Sequence, residues 1–257
     1  MYKVLDVSEF QGTINWDDVK KDGYEYVFIR VGGRFYGSGK IFSDSRYKEN
    51  LDGATKHGFK IGVYFYTQAI TEAEAIEEAE FTLKLIKGYN IELPVVIDTE
   101  INNPKEERLN TITSEKRTLC AIAFMEHVKK AGYTPMFYCG YYYLRDYLNA
   151  DKLQNYHFWL AQYTTASVPT CSRNYDIWQY SSKGNINGIS GNVDVNRGYT
   201  NFIKRPDPWT LYKDETKIKA VDVLLGRYGN GRDRVKNLGA SYKEVQTLVN
   251  KLVDLFI

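Results

Sequence analysis

Two carboxylates separated by one residue close an apolar run in Val95-Val-Ile-Asp98-Thr-Glu100. In an extended chain residues i and i+2 face the same side, so both acids point into one site. Neighbouring carboxylates raise each other's proton affinity, which keeps one protonated as a general acid near neutral pH. A protonated carboxyl beside a carboxylate is what cleavage of a glycosidic bond requires. Two ordinary acids at a solvated strand end would show the same spacing. Two further acids weigh against that: Asp6 ends Val4-Leu-Asp6 and Asp194 ends Gly191-Asn-Val-Asp194. Four unpaired acids in one pocket are costly unless a reaction or ligand needs them. A divalent cation is the competing use of such a set. The three histidines and three cysteines show no metal-like spacing, so neither a metal nor another cofactor is expected.

The elements that must position these acids are legible as apolar runs. Eight β-like runs occur, at Lys3–Val7, Tyr26–Val31, Lys60–Tyr66, Pro94–Asp98, Pro135–Cys139, His157–Ala161, Asp176–Tyr180 and Val193–Val195. Most are apolar on both faces, as parallel strands covered on both sides are. Helical patterns intervene at Ser45–His57, at Thr71–Lys87 behind a Thr71–Glu74 capping box, and at Ser114–Ala131 before Gly132. From about Tyr156 the helical signal fades. The expected class is α/β, a TIM-like (β/α) barrel whose last third lacks regular helices. In a closed barrel the first and last strands are neighbours. Asp6, Asp98, Glu100 and Asp194 then converge on the face where barrel enzymes keep catalytic groups.

Aromatic residues fall beside them. Tyr64, Tyr66, Tyr138 and Trp159 sit in or at the ends of these runs, followed by Gln162 and Trp178. Their rings and polar tips suit the faces and hydroxyls of sugars, although barrel core would use the same residues. Arg30 and Gly32-Gly33 read as loop-shaping residues after the second run. Of the 22 tyrosines, 19 lie in residues 1–203.

The stretch 204–216 has two prolines and no periodicity, so it reads as a linker between a barrel at 1–203 and a small module at 217–257. The module offers three short helices: Lys217–Leu225, Asp233–Leu238, and one opened by a Ser241–Glu244 capping box. The third carries Tyr242, Val245, Leu248, Val249, Leu252 and Phe256 on one face. Residues 204–257 hold 11 Lys/Arg and 7 Asp/Glu, against a net charge of +2 for all 257 residues. The basic tail hints at an anionic partner, but a near-neutral total argues against a nucleic-acid binder. No apolar run approaches the ~18 residues of a membrane span, and Asp6 and Glu9 interrupt the place of an export signal. Synthesis in a cytoplasm is therefore expected. Oligomeric state is open.

Five motifs in order carry a family resemblance: Asp6-x-Ser8-x-x-Gln11-Gly12, Asp98-x-Glu100, Trp159-Leu-Ala-Gln162-Tyr163, Trp178-Gln-Tyr180 and Val193-Asp194-x-Asn196. Residues 1 to about 203 resemble the Chalaropsis-type lysozymes, glycoside hydrolase family 25. The resemblance implies a flattened (β/α)5β3 barrel and hydrolysis of the β-1,4 bond from N-acetylmuramic acid to N-acetylglucosamine in bacterial peptidoglycan. It implies Glu100 as general acid/base and Asp98 as the residue assisting the substrate's 2-acetamido group. Asp6 and Asp194 would hold the charge state of that pair and contact the sugar. The run from Leu225 to Asn250 resembles the three-helix cell-wall-binding repeat of some phage lysozymes, with Asn230 and Arg234 as its candidate ligand contacts. Together these imply a phage or prophage endolysin, made in the host cytoplasm and acting on the wall after release. A non-catalytic glycan-binding barrel, or a chitinase-like hydrolase of other acetamido glycans, would share part of this pattern.

Overall fold

The computed structural model describes residues 1–102, 105, 107–203 and 215–254. They fall into two units, Met1–Ile203 and Lys204–Ile257.

Among the described residues the first unit has nine strands and five α-helices. In chain order they are β1 (Tyr2–Val7), α1 (Trp16–Lys21), β2 (Tyr26–Arg34), β3 (Ile41–Ser43), α2 (Tyr47–Lys56), β4 (Lys60–Tyr66), α3 (Glu72–Leu85), β5 (Val95–Asp98), α4 (Ser114–Lys130), β6 (Pro135–Gly140), α5 (Tyr141–Tyr147), β7 (His157–Ala161), β8 (Ile177–Gly184) and β9 (Val193–Gly198). Strands β1, β2, β4, β5, β6, β7 and β8 run parallel in that order. Strand β9 is antiparallel to both β8 and β1 and closes an eight-stranded ring.

Two features correct the sequence reading. Strand β3 lies outside the ring, paired antiparallel with the end of β2; three residues are too few to show a period. The last strand begins at Val193 and runs on to Gly198. Asp194 therefore opens that strand rather than ending it. Because β9 runs backwards, its start lies at the same end of the barrel as the C-terminal ends of the parallel strands.

Alternation along the strands separates two cores. Outward residues such as Leu5, Ile29, Phe65, Ile97, Phe158 and Trp178 pack with Leu51, Ala79, Phe124 and Val128 of the helices. Inward residues Val4, Phe28, Val96, Met136, Trp159 and Ile177 fill the ring itself. Each such side chain contributes about 1.5–3 kcal/mol by leaving water. Gly62 makes one of these fits possible: a Cβ there would sit 2.3 Å from the Phe28 ring. Local signals agree with the longer helices. Thr71 Oγ1 accepts from Glu74 N–H at 3.2 Å, while the Glu74 carboxylate reaches Ile70 N–H at 2.8 Å, one residue before the cap. Gly132, at φ +90°, supplies the left-handed residue that ends α4.

The second unit consists, among the described residues, of α6 (Glu215–Leu224), α7 (Gly231–Leu238) and α8 (Tyr242–Asp254). Ala220, Val223, Leu238, Val245 and Val249 form its core, with Tyr228, Tyr242 and Leu248 packed on it. The Ser241 hydroxyl donates to the Leu238 carbonyl at 2.7 Å. The chain enters α8 through a 3-10 turn, Gly239–Ser241, in place of the expected Ser241–Glu244 capping box. Residues 204–214 of the expected linker, the Leu252 side chain and Phe256 lie outside what is described. No helix among the described residues is long and apolar enough to cross a membrane.

Candidate active site

The C-terminal ends of β1, β2, β4, β5 and β6 and the start of β9 surround a cleft of about 610 Å³. Asp6, Asp98, Glu100 and Asp194 all line it. Two different geometries bring them there. Asp98 and Glu100 come from one chain segment by i, i+2 alternation. Asp6 and Asp194 lie directly opposite each other across the β1–β9 ladder, and opposed residues of an antiparallel pair project from the same face.

The Asp6–Asp194 pair is tightly held. Asp6 is 5% exposed. Its Oδ2 accepts from Asn196 Nδ2 at 2.7 Å and from Gln179 Nε2 at 3.1 Å. Asp194 faces Asp6 across the ladder, so the two carboxyls repel each other when both are ionised. Burial and the charge of Asp194 push Asp6 well above the usual carboxylate range, and burial raises Asp194 as well.

The Asp98–Glu100 pair is left more open. Asp98 is 6% exposed, and its Oδ1 is buried with no hydrogen-bond partner. Burial, Glu100 and Asp6 together raise its proton affinity well above the ordinary, against the pull of Arg30. Glu100 accepts from Asn102 Nδ2 at 2.9 Å. Burial raises it too, with Glu107 and Asp194 adding repulsion and the Asn102 bond opposing. All four carboxyls of the site thus bind a proton more tightly than an exposed acid does.

The aromatic residues divide. Tyr64, Tyr66, Tyr138 and Trp159 line the cleft. Trp159 carries Tyr138 at 5.0 Å and Tyr64 at 6.4 Å against its ring, both edge-on, and its Nε1 donates to Asn196 Oδ1 at 2.8 Å. Trp178 does not reach the cleft. It alternates with inward Ile177 and Gln179, so its ring lies in the outer core and its Nε1 donates to the Gln162 carbonyl at 2.9 Å. Gln162 is also outside: its amide is bound to Thr170, giving to Oγ1 at 2.6 Å and accepting from N–H at 3.0 Å. It fastens the loop after β7.

Several cleft residues escape a search for acids and rings. Gln179 Oε1 accepts from the hydroxyls of Tyr138 at 2.9 Å and Tyr163 at 2.7 Å while its amide serves Asp6. Arg30 is an inward strand residue rather than a loop residue, paired with Asp44 at 2.8 Å and Glu9 at 2.9 Å. Phe10, Phe35, Tyr36 and Phe42 extend the lining towards β3. Strand alternation with Ile177 and Asp194 was the available signal for Gln179 and Asn196; the hairpin residues had none. Among the described residues no group of three or more His, Cys, Asp or Glu is placed to hold a metal ion.

In the second unit Arg234 is already engaged. Its Nε donates to the Gly229 carbonyl at 3.1 Å, and its terminal nitrogens to Gln246 Oε1 at 3.1 Å and Asn230 Oδ1 at 2.9 Å. Asn230 and Arg234 thus bind each other and clasp the turn to α8.

Residues 5–189 match the profile of the glycosyl hydrolases family 25, and residues 220–253 match the CW_7 repeat. The autolytic lysozyme of Clostridium acetobutylicum is 31% identical over 193 residues, which cover 75% of this chain and 54% of that protein. The modular autolysin LytC of Streptococcus pneumoniae, solved in complex with a synthetic peptidoglycan ligand, has a TM-score of 0.66 and 30% identity over 77% of this chain and 46% of that one. The chain spans about half the length of these two relatives. The CTP1L endolysin shares the fold, with a TM-score of 0.66 at 21% identity over 98% of this chain and 100% of that one.

Proposed function

The chain belongs to the glycosyl hydrolases family 25, and on that premise we propose that it is a peptidoglycan muramidase. It hydrolyses the β-1,4 bond between N-acetylmuramic acid and N-acetylglucosamine, with Glu100 as general acid and base. The observation that carries the reading is the convergence of four carboxyls of raised proton affinity on one cleft. We read the ring as the (β/α)5β3 variant; helices α1–α5 precede β7, and β7–β9 follow one another without an α-helix among the described residues.

The chemistry follows from the state of each acid. Protonated Glu100 gives its proton to the glycosidic oxygen as the C1–O bond breaks. The acetamido carbonyl oxygen of the same sugar attacks C1 and forms a cyclic intermediate. Asp98 assists: in this reading its unpartnered Oδ1 accepts the acetamido N–H, and that bond favours the carboxylate over the acid. Glu100, now ionised, takes a proton from water as the water oxygen attacks C1 and reopens the ring. A proton held by Asp6 or Asp194, whose proton affinities are both raised, limits the negative charge facing this intermediate. Tyr64, Tyr138 and Trp159 offer rings and hydroxyls to the sugar.

The second unit is a three-helix wall-binding repeat, a reading supported by the CW_7 match. The pairing of barrel and repeat supports an endolysin role, with bacterial wall as the partner. The test is turbidity loss of purified bacterial walls. Glu100→Gln is expected to slow clearing by about 10²–10⁴-fold; clearing at the wild-type rate would overturn the assignment.

A further inference from the structure

Strand β5 ends at Asp98, so Glu100 lies beyond the last ladder bond and something else must hold it. A chain of hydrogen bonds does so. Asn102 Nδ2 donates to Glu100 Oε1 at 2.9 Å. The backbone N–H of Asn102 donates to Glu107 Oε1. The Tyr66 hydroxyl, at the end of β4, donates to the same oxygen at 3.3 Å. Gln68 Nε2 donates to the Tyr66 oxygen at 3.1 Å, and Gln68 Oε1 accepts from Leu109 N–H at 3.4 Å. Glu107 is 3% exposed. A buried carboxylate thus ties the segment carrying Glu100 back to β4.

The bond to Oε1 has a chemical consequence. A carboxyl oxygen that accepts an N–H serves as the carbonyl oxygen, so the proton of the acid sits on the other. Asn102 therefore leaves Oε2 as the O–H. Once the proton has gone, the same N–H stabilises the carboxylate. We propose that Asn102 and Glu107 are positioning residues for Glu100, Asn102 assigning the acidic proton to Oε2 and Glu107 fixing Asn102 in place. The proposal rests on the reading of Glu100 as the proton donor.

The two residues act on Glu100 with opposite electrostatic sign. The Asn102 bond favours the ionised form, and the charge of Glu107 opposes it. The other titratable groups that interact with Glu100 are Asp98 on β5, Tyr138 and Cys139 on β6, Tyr163 after β7 and Asp194 on β9. The Tyr138 and Tyr163 hydroxyls donate to Gln179 Oε1, which leaves Asn102 as the donor to Glu100.

The experiment uses the full chain labelled with 13C at glutamate carboxyls. Glu100 is assigned with Glu100→Gln and titrated by NMR, and the rate on soluble peptidoglycan oligomers is measured against pH. In Asn102→Ala, Glu100 is expected to titrate higher and the alkaline limb to move up. In Glu107→Gln, which keeps the acceptor and removes the charge, both are expected to move down. Asn102→Ala is also expected to lower kcat by about tenfold to a hundredfold with little change in KM. An unmoved Glu100 titration in Asn102→Ala, or shifts of the same sign in both variants, would overturn the proposal. Asn102 is an exposed rim residue, so its variant keeps the test decisive if Glu107→Gln does not fold. Opposite titration shifts accompanied by full activity of Glu100→Gln would sink the catalytic reading and leave the tether standing.

Discussion

Asp98 is held in a state that stabilises no contact of its own, and Asp98→Asn exposes this. The carboxyl is nearly buried, and Oδ1 has no partner. Leaving a buried polar atom unpaired costs about 1–3 kcal/mol. Burial, Glu100 and Asp6 raise the proton affinity of Asp98 in the folded chain. The sign of the pH dependence follows. A group that binds its proton more tightly when folded contributes its full stability below the unfolded pKa, about 4 for an aspartate. That contribution is lost as pH rises through the folded value. The asparagine variant never ionises, so it is expected to match the wild type near pH 3.5 and to gain stability from about pH 4 upwards. At pH 7 the gain is about 1.4 kcal/mol for each tenfold rise in proton affinity, and each kcal/mol raises Tm by about 2–4 °C for a domain of this size. Calorimetry of the barrel transition from pH 3.5 to 8 measures it, with wall clearing in parallel. Clearing is expected to fall by about 10²–10³-fold, because an interaction made in the transition state is gone. A Tm gain independent of pH, or a loss of stability at pH 7, would refute the reasoning.

Two further outcomes follow from the site and the second unit. Proton NMR of the first-formed anomer from the β-linked substrate is expected to show the β-product, as internal acetamido attack followed by water retains configuration; an initial α-product would exclude that route. Arg234→Ala releases the clasp to Gly229, Asn230 and Gln246. It is expected to reduce retention of the chain on sedimented walls while leaving the rate on soluble oligomers unchanged. Unaltered retention would show that the clasp does not organise the proposed contact with walls.

What was legible in the sequence was the part encoded by local period. The barrel strands, helices α2–α4 and the Asp98–Glu100 spacing each follow from alternation or capping within one segment. Strand direction is not a local property, which is why Asp194 was read as ending its strand although it begins it. Trp178 and Gln162 were read as cleft residues because aromatic and amide types suit sugars. Parity along β8 instead turns Trp178 outward, and Gln162, one residue past β7, bonds into its own loop. The same parity turns Gln179 and Asn196 inward, but neutral amides gave no charge signal to prompt the question. The Asn102–Glu107–Tyr66 tether joins segments 41 residues apart, and its carboxylate looks from sequence like any surface acid.

The reversal of β9 explains how one barrel face can hold two acid pairs with different duties. Strands β5 and β9 are four places apart in an eight-stranded ring, so their acids approach from opposite walls. A parallel last strand would present its far end, after Gly198, at this face. The antiparallel strand presents Asp194 instead, directly across from Asp6. Like charges so placed are destabilising; Gln179 and Asn196 donate to Asp6, and burial with the charge of Asp194 raises its proton affinity. Asp6 is thus already engaged by two amides. On the opposite wall, Asp98 has an empty acceptor and Glu100 one amide bond. Under the proposed function the engaged Asp6 sets the electrostatic background, and Asp98 and Glu100 meet the sugar.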